Sequence, residues 1–334
     1  ETAPTLYKLS QTGLNFTNRY SPFFNGGQTI NSEFACNTGM YAISDKETIY
    51  DKDDVTYPYS VANMLKKNGY RVASFHANTK TFYNRGKFHK RLGYDMHYSA
   101  YDLQTSGLLD KNKNYFSDYN FISDDNLYDL MISDKPFFTF FTTYSGHLEY
   151  NTNNKVYKSI KKTLSKKKYG EEEYVYRTLV HDTDDAIKTL IEKLEKSKLL
   201  VKTVLVLVSD HYVYGYSDTD YVAMKKNKLN DRKELQNTPF IIWSKDIEAK
   251  TIDTILDTAD ILPTLLNMLD ITYDPKNYLG DDVFSTSHDD FVWFSDGTFI
   301  KSSDCDLSDE SILTKVNYNI NKNRDILLTN YYGK

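Results

Sequence analysis

A hydroxyl that follows a pair of glycines is the first candidate for chemistry in this sequence. Thr29 comes shortly after Gly26 and Gly27, at the point where a short helical pattern begins. The first turn of a helix has unpaired N–H groups and the positive end of the helix dipole, and both favour an anion such as phosphate. Thr29 is therefore a candidate nucleophile for attack on a phosphate. An ordinary N-cap threonine after a glycine loop is the alternative interpretation.

Titratable side chains follow three apolar segments that have the pattern of buried strands. These side chains are His76, His147 and the adjacent pair Asp210 and His211. Because open parallel sheets bind ligands outside the carboxyl ends of their strands, we expect the four side chains at one site. Asp and His together suit a divalent metal such as manganese or zinc. Taken singly, each could instead be a hydrogen-bonding residue at a strand end or a turn cap.

Arg85 is a candidate for anion binding. It lies in a polar segment that begins at His76, directly after one of the predicted strands. A guanidinium in such a loop can hold a phosphate through two parallel hydrogen bonds, and Lys80 could do so more weakly. A surface ion pair is the alternative interpretation for Arg85.

Apolar runs and helical patterns alternate along the chain, and they predict the scaffold that positions these residues. Strands are predicted at 71–75, 136–143, 203–208 and 239–243, and helices at 4–13, 60–68, 171–196 and 260–269. Because the strands are apolar throughout, we expect an α/β fold whose mainly parallel central sheet has helices on both faces. Residues 100–135 are predicted to be polar and irregular. The tail from 281 onward is predicted to alternate short strand-like pieces with turns, as a small C-terminal α+β portion.

Bulk properties exclude some functions. The 334 residues carry a net charge of −5, so no nucleic-acid partner is expected. Cys36 and Cys305 lie far apart in the sequence, and the sequence leaves open whether they are bonded. The basic segment 155–168 is interpreted as a solvated loop or helix face, with contact to an anionic membrane surface as the alternative. Neither an apolar run of about 18 residues nor an initiator Met is present, so we expect a soluble fragment of a longer protein.

In their order along the chain, the motifs resemble the extracellular catalytic domain of lipoteichoic acid synthases and related phosphoglycerol transferases. These enzymes belong to the sulfatase and alkaline phosphatase-like superfamily, and the resemblance implies that fold. The matching segments are 27–34 (GQTINSEF), 76–85, 145–147 (SGH), 209–212 (SDHY) and 260–266 (DILPTLL). Sulfatases of the superfamily use Cys or Ser in a C/S-x-P-x-R motif. This chain has Thr-Ile-Asn-Ser-Glu there, which disfavours the activity of a sulfatase.

The resemblance also implies roles for the candidate residues. Thr29 would be the nucleophile and would bind a divalent metal together with Asp210 and His211, commonly manganese, with magnesium or zinc as alternatives. The glycerol-phosphate pocket would be lined by His76, Tyr83, Arg85 and His147, and His147 could protonate the leaving oxygen. Three positions depart from the family pattern, because Tyr83, Asn78 and Ser209 stand where Trp, Asp and Gly are frequent.

The implied reaction is the transfer of glycerol phosphate from a phosphatidylglycerol-type lipid to an acceptor hydroxyl, through a phosphothreonine intermediate. The acceptor would be a glycan or a glycerol-phosphate polymer of the cell envelope, and the site of action the extracellular face of the cell membrane. Alternatives are a phosphoethanolamine transferase or phosphodiesterase of the same superfamily, or a metal-free, non-catalytic surface domain.

The family also has a metal-binding Glu on a first strand, upstream of the segment with which this chain opens. Glu1 is too close to Pro4 to be that residue. We therefore expect residues 1–280 to form a catalytic domain that lacks its first strand and binds metal weakly, with contact to the membrane made through the missing N-terminal region. Residues 281–334 are expected to form a C-terminal subdomain packed on it.

Overall fold

Short strands and helices alternate along the part of the chain that the computed structural model describes, which comprises residues 2–22, 28–42, 54–160, 164, 169–216 and 232–333. The described strands are β1 Leu14–Phe16, β2 Arg71–His76, β3 Met96–Ser99, β4 Phe137–Thr142, β5 Leu205–Val208, β6 Phe240–Trp243, β7 Lys250–Ile252, β8 Phe291–Trp293 and β9 Phe299–Lys301. The described α-helices are α1 Pro4–Thr12, α2 Gln28–Thr38, α3 Val61–Lys67, α4 Arg85–Arg91, α5 Ala100–Thr105, α6 Asp118–Ser123, α7 Asp125–Met131, α8 Glu171–Lys196, α9 Ile261–Met268 and α10 Asp309–Thr329. Glu1 and the glycine pair before Thr29 lie outside the described residues.

These strands form two larger sheets and one hairpin. The order across the first sheet is β5-β6-β1-β7, and the order across the second is β3-β2-β4. All pairs in the second sheet are parallel. In the first sheet β5, β1 and β7 run in one direction, and β6 runs against them. The α/β class with a mainly parallel sheet, predicted from the sequence, is confirmed.

The predicted site residues lie at the carboxyl ends of three strands in these sheets. His76 is the last residue of β2, Asp210 comes two residues after the end of β5, and the loop to His147 follows β4. Parallel sheets bind ligands just beyond this end of their strands. The topology therefore gathers residues that are far apart in the sequence.

A large apolar core lies behind α2, the helix that carries Thr29. Phe34 of α2 packs there with Leu65, Phe88 and Leu262, and all four are almost completely buried. Burying one such side chain contributes about 1.5–3 kcal/mol to stability. Phe34 thus anchors α2, while Thr29 at its start stays only partly buried.

The helices predicted from clear end signals are present. The predicted helix 60–68 is α3, and Ser60 caps it by accepting a hydrogen bond from the Asn63 N–H. Gly69 follows at φ +83°, in the left-handed region that glycine favours after a helix. The predicted helix 171–196 is α8, with the same bounds and with three glutamates in its first turn, where the helix dipole favours negative charge.

The prediction for residues 100–135 was wrong, because three short helices, α5 to α7, lie there. Each has a side-chain cap, in which Ser99, Ser117 or Asp124 accepts a hydrogen bond from a backbone N–H in the first turn. The helices are six or seven residues long, too short for their apolar residues to show a helical period. Tertiary burial of Phe121 and Leu127 stabilises them instead.

The prediction for the C-terminal tail was only partly right. The strands β8 and β9 form an antiparallel hairpin, but the 21-residue helix α10 follows them. The Asn323 side chain of α10 is buried and makes two hydrogen bonds with the backbone of Tyr41, at 3.1 and 2.7 Å. An asparagine-rich sequence disfavours a helix intrinsically, so this helix depends on its tertiary contacts. The division at residue 280 stays a prediction.

Two further sequence questions concern the membrane and the cysteines. Within the described ranges, each helix is too short or too polar to cross a membrane. Cys36 and Cys305 are both free thiols.

Candidate active site

Thr29, Asp210 and His211 lie together at one end of the first sheet. Thr29 Oγ1 is 3.3 Å from His211 Nε2, and the same nitrogen is 3.1 Å from Asp210 Oδ2. Thr29 also hydrogen-bonds to the Asp210 carboxylate. Thr29 occupies the first turn of α2, where unpaired N–H groups are available to an anion. The convergence predicted from the sequence is present, and the roles of the three side chains stay predictions.

Backbone contacts fix the Asp210 segment. The Ser32 hydroxyl on α2 donates to the Asp210 carbonyl, so the helix that carries Thr29 also holds this strand end. The guanidinium of Arg19, which is fully buried, donates to the Ser209 carbonyl at 2.5 Å. His211 Nδ1 donates to the Tyr212 carbonyl at 2.8 Å. Since a carbonyl can only accept, a neutral His211 keeps its lone pair on Nε2, facing Thr29 and Asp210.

Asp210 and His211 perturb each other's pKa. Burial acts to raise the pKa of Asp210, but hydrogen bonds from His211 and Thr29 and the charge of His211 outweigh it, so that this pKa lies below its ordinary value. Burial acts to lower the pKa of His211, and the hydrogen bond and charge of Asp210 outweigh that effect and raise it. The carboxylate is therefore ionised at neutral pH, as a metal ligand must be.

The donor set of this group fits a divalent cation in its chemistry. A hydroxyl oxygen, a carboxylate oxygen and an imidazole nitrogen are ligands that manganese, magnesium or zinc accept in different proportions. The described residues contain no cluster of three or more His, Cys, Asp or Glu side chains that could hold a metal. Thr29, Asp210 and His211 would thus supply three ligands, which leaves room for others.

Arg85 differs from its predicted setting in a polar loop. It opens α4 and is almost completely buried. Its Nε lies 3.1 Å and its Nη2 2.9 Å from Glu33 Oε2, and His89 Nε2 lies 2.5 Å from Glu33 Oε1. Within the part of the chain that the structure describes, Arg85 Nη1 has no hydrogen-bond partner. Arg85 is thus part of a buried ion pair and not of a surface one.

His76 is buried at the end of β2 beside this ion pair. Its Nδ1 donates to the Thr142 carbonyl at 3.0 Å. Burial, and then the positive charge of Arg85, lower the pKa of His76 to about 3. His76 is therefore a neutral imidazole at physiological pH, with the lone pair on Nε2 available to a hydrogen-bond donor such as a glycerol hydroxyl.

Tyr83 and His147 lie at the more open side of this region. Tyr83 is 37% exposed and has a positive φ of 53°, which is uncommon for a bulky residue. His147 is exposed and stacks on Tyr144 with ring centroids 5.4 Å apart, and Tyr144 lies 6.4 Å from His76. The described side-chain contacts of His147 are with Tyr144 and Leu148. Its function as a proton donor therefore stays a prediction.

Buried carboxylates support the loop that carries His147. Asp118 accepts hydrogen bonds from the backbone N–H groups of Tyr144 and Ser145, at 2.7 and 3.1 Å. Asp182 accepts one from the Ser145 hydroxyl at 2.5 Å. Sequence reasoning missed both residues because they lie in polar stretches without a motif. It also missed Glu33, although Glu33 belongs to the GQTINSEF segment and follows Thr29 by one helical turn.

The stability of the fold is expected to decrease in acid, because two buried histidines are held in their neutral form. Burial is the main cause that lowers the pKa of His76 to about 3 and that of His97 to about 2. Between these values and the ordinary histidine pKa near 6.5, the unfolded chain binds more protons than the folded one. Stability therefore falls as pH drops below about 6.5, by up to about 2 kcal/mol per histidine at pH 5.

Replacing either histidine with asparagine tests this expectation. His76→Asn keeps a donor for the Thr142 carbonyl. Each variant should lose part of the stability difference between pH 7 and pH 5, and the double variant should lose more of it than either single variant. Urea denaturation at the two pH values measures this difference. An unchanged difference in both single variants would show that the two imidazoles do not cause the acid sensitivity.

The fold and the site together define the class of this protein. The chain belongs to the sulfatase family, whose model matches residues 1–271. It is similar to the lipoteichoic acid synthase of Staphylococcus aureus, with 29% identity over 314 residues. That alignment covers 90% of this chain and 46% of the relative, so the chain spans about half the length of the curated relatives it matches.

Solved structures of related enzymes have the same fold. The lipoteichoic acid synthase LtaP from Listeria monocytogenes matches with a TM-score of 0.73 at 19% identity, covering 98% of this chain and 86% of that one. The Streptococcus pyogenes phosphoglycerol transferase GacH, in complex with sn-glycerol-1-phosphate, matches with a TM-score of 0.62 at 17% identity, covering 96% and 78%. The alkaline phosphatase/sulfatase-like fold and the resemblance inferred from the motifs are confirmed.

Proposed function

We propose that this chain carries the catalytic site of an enzyme that transfers glycerol phosphate from a phosphatidylglycerol-type lipid to a hydroxyl of a cell-envelope polymer. The observation that carries the proposal is the position of the Thr29 hydroxyl, 3.3 Å from His211 Nε2 and beside Asp210. A hydroxyl in the first turn of a helix, next to an imidazole and a carboxylate, suits attack on a phosphodiester. The names of the relatives, lipoteichoic acid synthase and phosphoglycerol transferase, support this substrate class.

In the first step the Thr29 oxygen attacks the phosphorus of the lipid head group. The Thr29 hydroxyl loses its proton to solvent, a bond forms between Thr29 Oγ1 and phosphorus, and the bond from phosphorus to the diacylglycerol oxygen breaks. The diacylglycerol oxygen takes a proton, for which His147 is the proposed donor. Positive charge from Arg85 and the N–H groups at the start of α2 stabilise the phosphoryl oxygens. Glycerophospho-threonine remains on the protein.

In the second step an acceptor hydroxyl attacks the same phosphorus. Its oxygen bonds to phosphorus, and its proton passes to His147, which gave one up in the first step. The bond to Thr29 Oγ1 breaks, and the Thr29 oxygen takes a proton from solvent. The acceptor is a sugar of a glycan or the end of a glycerol-phosphate polymer. His76, as a neutral acceptor, and Tyr83, as a partly exposed ring, are proposed to contact the glycerol part of the donor.

A divalent metal, with manganese proposed and magnesium or zinc as alternatives, would be held by Thr29, Asp210 and His211. When bound, such an ion lowers the pKa of a coordinated hydroxyl and neutralises charge on phosphoryl oxygens. We place the reaction at the extracellular face of the cell membrane, where the lipid donor and the envelope polymer meet.

Head-group preference tests the proposed function. Fluorescent phosphatidylglycerol and phosphatidylethanolamine analogues are incubated separately with the longest native form of the protein and manganese. Labelled diacylglycerol should be released from the glycerol lipid at a rate well above that from the ethanolamine lipid. Release from the ethanolamine lipid alone would support a phosphoethanolamine transferase instead. Release from neither lipid, without metal binding, would support a non-catalytic surface domain.

A further inference from the structure

A buried carboxylate joins the helix of the candidate nucleophile to the candidate phosphate-binding arginine. Glu33 of α2 and Arg85 of α4 each have side chains only 2% exposed. Arg85 donates to Glu33 through Nε, at 3.1 and 3.3 Å to the two carboxylate oxygens, and through Nη2 at 2.9 Å. The same helix, α4, also contributes His89, whose Nε2 contacts Glu33 Oε1, so both carboxylate oxygens are held by side chains of α4.

This arrangement leaves one edge of the guanidinium unused by the protein. A guanidinium has five N–H groups in a rigid fork. Glu33 occupies the Nε and Nη2 side, and Nη1 has no hydrogen-bond partner among the described residues although it is buried. A buried, charged donor without an acceptor is unfavourable, and a phosphoryl oxygen is an acceptor that would satisfy it.

Glu33 also sets the distance between this guanidinium and Thr29. The two residues are four positions apart on α2, so they lie on one face of the helix, about 6 Å apart along its axis. Because α2 is rigid and anchored in the core through Phe34, a shift of Arg85 relative to Thr29 requires the ion pair with Glu33 to break.

The carboxylate stays ionised over the working range of pH. Burial acts to raise the pKa of Glu33, but the charges and hydrogen bonds of Arg85 and His89 outweigh burial and hold this pKa well below its ordinary value. The contact between Glu33 and Arg85 is therefore a permanent one and not a pH switch.

We infer that Glu33 is a positioning residue for phosphoryl transfer. It holds Arg85 so that Nη1 faces a phosphoryl oxygen of the donor, and it fixes that contact at a set distance from Thr29. The inference rests on the proposed function, because it assumes that Arg85 binds the phosphate of the glycerol-phosphate group.

Binding of sn-glycerol 1-phosphate, measured by calorimetry with manganese present, tests the inference through four variants. Arg85→Lys should weaken binding, because one amine cannot replace the guanidinium fork. Glu33→Gln should weaken glycerol phosphate binding by at least about tenfold, because the Arg85 guanidinium would no longer be held in place. A misplacement of about 1 Å can cause a loss of about 100-fold. The double variant should bind no more weakly than Arg85→Lys alone. Glu33→Asp, which keeps the charge, should lose less than Glu33→Gln.

A matched control separates positioning from a general loss of stability. Asn37 lies one turn after Glu33 on α2 and is fully buried, where it accepts a hydrogen bond from the Tyr94 hydroxyl. Asn37→Ala should lower the melting temperature without weakening glycerol phosphate binding. If Glu33→Gln does not fold, Glu33→Asp is compared with Asn37→Ala instead. Weaker glycerol phosphate binding by Glu33→Asp, with unchanged binding by Asn37→Ala, would then support positioning by Glu33.

Failure of this inference differs from failure of the proposed function. If Arg85→Lys weakens binding but the Glu33 variants bind like the unaltered protein, Glu33 is structural and the inference is overturned alone. Additive losses in the double variant would overturn it as well. If the unaltered protein does not bind sn-glycerol 1-phosphate, or if Arg85→Lys has no effect, the proposed role of Arg85 fails and the inference fails with it.

Discussion

Replacing Thr29 with alanine is expected to abolish turnover of the lipid head group and leave the fold intact. The hydroxyl is the proposed nucleophile, and without it the covalent step cannot occur. The rate of diacylglycerol release should fall by at least about 100-fold. Alanine is a good helix former, and Thr29 is only partly buried at the start of α2, so the melting temperature should change little.

Thr29→Ser is the matched control, because it keeps a hydroxyl at the same position and loses one methyl group. It should retain measurable turnover, and both variants should melt close to the unaltered protein. If Thr29→Ala kept more than about a tenth of the activity with unchanged melting, water would be attacking the lipid directly, and the proposed mechanism would be wrong.

Metal affinity is expected to depend on a segment upstream of Glu1. Thr29, Asp210 and His211 would supply three ligands, whereas a hard ion such as manganese prefers more oxygen ligands. Among the described strands, β4 ends one sheet and β5 ends the other, and both carry candidate site residues just beyond their carboxyl ends. We propose that a strand upstream of Glu1, with a further glutamate, would add a ligand to this region.

Calorimetry with manganese on residues 1–334 and on a native form extended upstream tests this expectation. The extended form should bind at least about tenfold more tightly, because even a partner outside the ligand set changes metal affinity by that much. Asp210→Asn in the extended form should remove most of the gain, since it deletes a proposed ligand. Equal and tight binding by both forms would show that the site is complete without an upstream residue.

The parts of the fold that were predictable are those in which local pattern and tertiary environment agree. The Val/Leu run 203–208 contains the strand β5, and Asp210 and His211 follow it as the sequence indicates. Its predicted burial was wrong, because β5 lies at the end of its sheet, where only Leu205 is buried and Val206 is exposed. Helix α8 shows its full length in the sequence because 26 residues display the helical period several times. Asp210 and His211 were predicted from a strand end and Thr29 separately from the start of a helix, and the three side chains lie together.

The parts that were not predictable depend on contacts between distant residues. Glu33 has the pattern of a solvent-facing glutamate, and its partners Arg85 and His89 lie 52 and 56 positions away in the sequence. Its burial is visible only when α2 and α4 are packed. Helix α10 has the same explanation, because Asn323, a weak helix former, is stabilised by the backbone of Tyr41, 282 positions away.

The central claim is that the Thr29 oxygen forms a bond to the phosphorus of a glycerol phosphate group, and peptide mapping tests it most directly. The protein is incubated with a phosphatidylglycerol analogue and manganese, quenched during turnover, digested and examined by tandem mass spectrometry. The account predicts a glycerophosphate group on Thr29, absent from the Thr29→Ala variant. Turnover without such a group, or a glycerophosphate group on the neighbouring Ser32 instead, would contradict it.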